Sequence, residues 1–71
     1  MDDNAYQSQW REVRRGSQWE RDDMRRGLIL SVVRAADGWL WVVLDAHGAP
    51  LASGTGASVD DAREQADRAG R

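Results

Sequence analysis

Two stretches of the chain are dense in apolar and β-branched residues: Gly27-Leu-Ile-Leu-Ser-Val-Val-Arg34 and Trp39-Leu-Trp-Val-Val-Leu-Asp45. Composition of this kind predicts strands. Between them, Ala35-Ala36-Asp37-Gly38 carries the Asp-Gly signal of a tight hairpin, because both central residues of such a turn need positive φ. With Asp37 and Gly38 at the tip, Ala36 faces Trp39, Arg34 faces Trp41, Val33 faces Val42 and Val32 faces Val43. A second tip at His47-Gly48 returns the chain as a short edge strand over 49–53, where Pro50 is tolerated because an edge can lack one donor. The expectation is a three-stranded antiparallel meander over 27–53.

Alternation along those strands sorts the side chains. One face carries Ile29, Ser31, Val33, Leu40, Val42, Leu44 and Leu51; the other carries Leu28, Leu30, Val32, Arg34, Trp39, Trp41, Val43 and Ala52. Both faces are apolar, so both are expected to need cover. A helix over 58–70 supplies one cover: Ser58 caps it, Asp60 and Asp61 suit its positive end, and Val59, Ala62, Ala66 and Ala69 form a small-residue stripe. Gly70 ends it. The zone 1–26 is polar and is expected to supply the second cover as a helix over roughly 3–15, with Tyr6, Trp10 and Val13 on one side. Ser17-Gln-Trp-Glu20 matches a capping box that would start a further short turn to Arg26. The alternative for this zone is an arm that orders on a partner. The fold class is therefore α+β, one domain over 1–71, with a helix on each face of the sheet.

Composition narrows the function. The chain has 71 residues, 10 basic and 12 acidic side chains, a net charge of −2 and no cysteine. Disulfide scaffolds, thiol catalysis and cysteine-rich zinc sites are excluded. The longest apolar run cannot span a membrane, and the acidic start Met1-Asp2-Asp3-Asn4 is no secretory leader, so a cytoplasmic location is expected. All ten basic residues are arginine, which GC-rich coding explains more economically than selection for guanidinium forks.

No catalytic constellation stands out. His47 lies at a turn, where turn chemistry accounts for it. Asp60, Asp61 and Glu64 look like first-turn helix acids and not like metal ligands. Gly54-Thr-Gly-Ala-Ser58 has the glycines and hydroxyl of a phosphate cradle but lacks the lysine, and Asp60 and Asp61 sit where a phosphate would go. It reads instead as a flexible strand-to-helix turn. Neither a cofactor nor a metal is expected, and the chain reads as a non-enzyme.

Asp37 to Ala69, DGWLWVVLDAHGAPLASGTGASVDDAREQADRA, resembles the strand–strand–helix modules of small uncharacterised bacterial and phage proteins. An aromatic strand, a D-x-x-G turn, a short LASG strand and an Ala-rich helix recur there. The resemblance covers about half the chain and carries over no functional residue. In size, acidity and lack of an active site the chain is also similar in style to phage anti-CRISPR inhibitors. What that resemblance implies is a protein that binds a host protein and occludes its nucleic-acid path. The corresponding expectation is a protein partner met by an acidic surface of Asp22, Asp23, Asp60, Asp61, Glu64 and Asp67. The alternative is a nucleic-acid module in which Arg34, Trp39 and Trp41 form a stacking platform aided by Arg11, Arg14 and Arg15. The acidic balance and the cost of exposing two tryptophans on so small a domain favour the first. Oligomeric state is left open between monomer and homodimer.

Overall fold

A computed structural model describes residues 10–70 and shows one five-stranded antiparallel sheet with one helix. The strands are β1 (Arg11–Arg14), β2 (Gln18–Asp23), β3 (Leu28–Ala35), β4 (Gly38–Asp45) and β5 (Pro50–Gly56), followed by α1 (Val59–Ala69). They lie side by side in chain order, a simple meander, with β1 and β5 at the edges. The expected three-stranded sheet is therefore too small by two strands. The expected N-terminal helix is overturned where it can be compared, since 11–14 and 18–23 are strands; its portion over 3–9 lies outside the described residues. The capping-box reading of Ser17 fails with it. Ser17 sits in the β1–β2 turn, donating its N–H to the Arg14 carbonyl (3.0 Å) and accepting from the Arg34 N–H (2.8 Å).

The physical reason lies in how β2 is filled. By its pairing with β3, the residues pointing to the helix side are Trp19, Arg21 and Asp23, opposite Val32, Leu30 and Leu28. Two of the three are charged, so the strand shows no alternation of hydrophobicity. Their ionic heads reach partners near α1: Arg21 Nη1 lies 2.7 Å from Asp67 Oδ1, and Asp23 pairs with Arg26 at 3.8 Å. The β1–β2 and β2–β3 turns place Gly16 and Gly27 at φ +69° and +66°, a region glycine enters without steric cost.

The β3–β4 hairpin also differs in detail. Its register is Ala35↔Gly38, Arg34↔Trp39, Val33↔Leu40 and Val32↔Trp41, so the tip is Ala36-Asp37 rather than Asp37-Gly38. That is a slip of two residues. Because side chains alternate with period two, such a slip leaves every residue on the face expected of it.

One face is closed by α1. Leu30, Val32, Trp41 and Val43 from the sheet meet Ala62 and Ala66 from the helix, and all six are buried. Trp10, Trp19 and Trp39 pack around the edge of this core, so all four tryptophans lie on the helix side. Large residues on the sheet face small ones on the helix. The helix begins as expected: Ser58 Oγ accepts from the Asp61 N–H (3.1 Å), while the Asp61 carboxylate accepts from the Ala57 N–H (3.0 Å). It ends at Gly70, whose N–H bonds the Ala66 carbonyl at 2.9 Å.

β5 is longer than expected and absorbs Gly54 and Gly56, which are strand residues facing the helix side rather than a flexible turn. Their role is close approach. A Cβ on Gly54 would lie 2.7 Å from the Trp41 ring, and one on Gly56 would lie 2.7 Å from the Ala62 backbone nitrogen. The absent side chains make room for an indole and for the first helical turn.

Candidate functional site

The helix side carries most of the polar chemistry, and that chemistry is consumed in holding α1 down. Trp10 Nε1 donates to both carboxylate oxygens of Asp67 (3.2 and 3.3 Å), which also receives Arg21. Arg26 donates Nη1 to the Gly70 carbonyl. Together Arg21, Asp23, Arg26, Asp67 and Gly70 line a polar cleft of about 260 Å³. Two guanidinium groups face two carboxylates and a helix-terminal carbonyl, so the cleft is balanced in charge and clasps the end of α1 to β2. Further along, Trp41 Nε1 donates to Gln65 Oε1 (3.1 Å), and the Arg63 guanidinium lies 4.9 Å from the centre of the Trp19 ring. No buried side-chain nitrogen or oxygen among the described residues lacks a partner.

The clasp is partly wet: the Arg21 and Asp67 side chains are 26% and 37% exposed. Solvent screens such a pair, so its worth is modest. A double-mutant cycle with Arg21→Met and Asp67→Asn is expected to give a coupling of about 0.5–1 kcal/mol in urea unfolding. A coupling indistinguishable from zero would show that Trp10, not Arg21, is the partner that matters.

The acids expected to make one binding surface are spread over both sides of the sheet. Asp22 points to the side opposite α1, 3.6 Å from Arg11. Asp23 pairs with Arg26 on the helix side. On α1, Asp60 pairs with Arg63 (2.5 Å), Glu64 with Arg68 (3.2 Å), and Asp61 is used in capping. Asp67 belongs to the clasp. Each of the six already has a partner within the chain. Of the alternative set, Trp41 is only 8% exposed beneath α1 and Trp39 packs against the same core. Arg34 is exposed at the end of β3, Arg14 and Arg15 are exposed at the β1–β2 turn, and Arg11 pairs with Glu20 as well as Asp22.

The side opposite α1 is different. Ile29, Ser31 and Val33 of β3, Leu40, Val42 and Leu44 of β4 and Leu51 at the β5 bulge lie there, flanked by Glu20 and Asp22 of β2 and by Ser53 and Thr55 of β5. No described element covers them. Val33 and Leu40 are 36% and 45% exposed on the interior strands β3 and β4, and Leu51 is 58% exposed on the edge strand β5. The sequence identified this face and its need for cover, but assigned the cover to a helix that does not form within 11–23.

Comparison with known proteins adds no assignment. No protein-family model, curated protein or solved structure matches the chain. Among the described residues, no three His, Asp or Glu side chains are placed to hold a metal ion, and no helix is long and apolar enough to cross a membrane. Among the described residues, the sheet face opposite α1 is thus an extended apolar surface that no described element covers.

Proposed function

We propose that this chain is a non-enzymatic protein-binding module that docks through the uncovered face of its sheet. The observation that supports it is the exposure of Val33, Leu40 and Leu51 on a face whose neighbours Ile29, Val42 and Leu44 are also apolar. Contiguous apolar patches of this kind on small proteins mark interaction sites. Binding there would bury an apolar centre inside a rim of Arg11, Glu20, Asp22, Ser53 and Thr55, the usual anatomy of an interface.

The anti-CRISPR-like version, an acidic surface that occludes a nucleic-acid path, is the narrower form of this proposal. It would require Asp60–Arg63 and Glu64–Arg68 to open and present their carboxylates to a basic groove. The nucleic-acid reading has one observation in its favour: Arg14, Arg15 and Arg34 have no ion-pair partner among the described residues. Against it, Trp41 is buried beneath α1 and Trp39 packs at the edge of the same core.

Photo-crosslinking separates the three. A photoreactive residue installed at Leu40 is expected to give protein adducts, whereas the same residue at Glu64 gives none. Adducts from position 64 alone would favour the acidic surface. Nucleic-acid adducts from position 15 or 34 would favour the arginines.

A further inference from the structure

We infer that the occupant of the open face is a second copy of this chain, packed sheet against sheet about a two-fold axis, with the α1 helices outward. The inference rests on the reading of this face as the binding surface and names its partner. A two-fold interface sets a patch against itself, so a patch of one sign would repel its own copy. Here the rim is self-compatible. Arg11 and Arg14 lie on the same side as Glu20 and Asp22, two charges of each sign, and Arg11 already sits 3.4 Å from Glu20 and 3.6 Å from Asp22. The apolar centre needs an apolar counterpart, and a second copy provides one of the same size and shape.

Relief and area agree. Ser31 is small and only 8% exposed at the middle of the face, while Leu40 stands out beside it at 45%. A projecting leucine from each copy and a low point in each copy interdigitate, as facing sheets do at about 10 Å separation. Four strands at about 4.8 Å spacing and eight residues at about 3.3 Å give roughly 500 Å² of face per copy. Two copies then bury about 1,000 Å², the size of a weak, transient interface.

Sedimentation equilibrium of the full chain from about 1 µM to about 1 mM tests this. The wild type is expected to rise from the monomer mass of 8.0 kDa toward twice that value. Leu40→Asp and Val33→Asp should each hold the monomer mass throughout while keeping the wild-type circular dichroism. Arg68→Glu, on the outward helix face, should dimerise like the wild type and controls for charge alone. A dimer that survives both open-face substitutions is built on another surface and overturns the inference. A wild type monomeric at the top of that range also overturns it, and an environment-sensitive dye then separates the two claims. Dye binding that Leu40→Asp abolishes leaves the face open to a different protein. No dye binding means that the face is not accessible in the monomer, and the binding reading falls too.

Discussion

Trp41→Ala is expected to remove a large part of the protein's stability. Trp41 is buried in the interior strand β4, directly opposite Val32, with its ring against Gly54 and its Nε1–H on Gln65. Truncating a buried tryptophan costs about 3–5 kcal/mol in lost transfer free energy and cavity. A 71-residue chain has a total stability of about 4–10 kcal/mol, so the loss is a large fraction of the whole. The site also collapses poorly, because Gly54 has no side chain and Ala62 only a methyl group with which to fill it. Trp41→Phe keeps most of the ring and forfeits the hydrogen bond, and should cost only about 1–2 kcal/mol. Urea unfolding followed by circular dichroism reads both. A folded Trp41→Ala with a wild-type midpoint would mean that the helix does not rest on this residue.

Gly56→Val is the second large effect and acts by the opposite mechanism. A Cβ at this position meets the Ala62 nitrogen at 2.7 Å, its Cα at 2.9 Å and its Cβ at 3.0 Å. Two of those three atoms are backbone, so no rotamer change relieves the clash. Either α1 lifts from the sheet or β5 bends away. Overpacking of this kind costs about 1–3 kcal/mol, and the branched valine side chain places it at the upper end or beyond. Gly48→Ala is the informative contrast. Gly48 has φ +86°, and a Cβ added there would have nothing within 4 Å, so its cost is backbone strain alone, about 1 kcal/mol. Equal losses at the two sites would show that β5 and α1 are not in the close contact described.

Those same glycines explain what was and was not legible in the sequence. Strands β3 and β4, the face each side chain occupies, the Ser58 cap and the Ala62–Ala66 stripe follow from period and propensity, and the structure has them. The hairpin tip was displaced by the Asp37-Gly38 signal. Gly38 is instead the first residue of β4, at φ +142°, where a Cβ would strike the Gly56 carbonyl oxygen at 2.8 Å. Strands β1 and β2 were hidden because Arg21 and Asp23 occupy inward positions and meet ionic partners beside α1 rather than a core. Hydrophobic patterning cannot see such a strand. A signal for it exists nonetheless: Gly16, Gly27, Gly38 and Gly48 all take positive φ, at intervals of 11, 11 and 10 residues, the spacing of a meander of short strands. Gly54 and Gly56 break that rhythm because they answer to packing and not to turns.

The candidate site was legible in a different sense. Apolar residues on both faces of the sheet predict two covers, and the chain from 10 to 70 provides one. Of the six acids that looked available in the sequence, five lie beside arginines once folded and Asp61 accepts from the Ala57 N–H and Gln65. Hydropathy locates a face that needs covering but carries no record of which element covers it.

Solvent paramagnetic relaxation of methyl groups in dilute protein tests the central claim, that one sheet face is closed within the chain and the other is left for a partner. The expected result is that the methyls of Val33, Leu40 and Leu51 are strongly attenuated by a neutral gadolinium cosolute while those of Leu30, Val32 and Val43 are spared. Equal protection of the two sets in dilute monomer would contradict it, because the open face would then be covered by the chain itself.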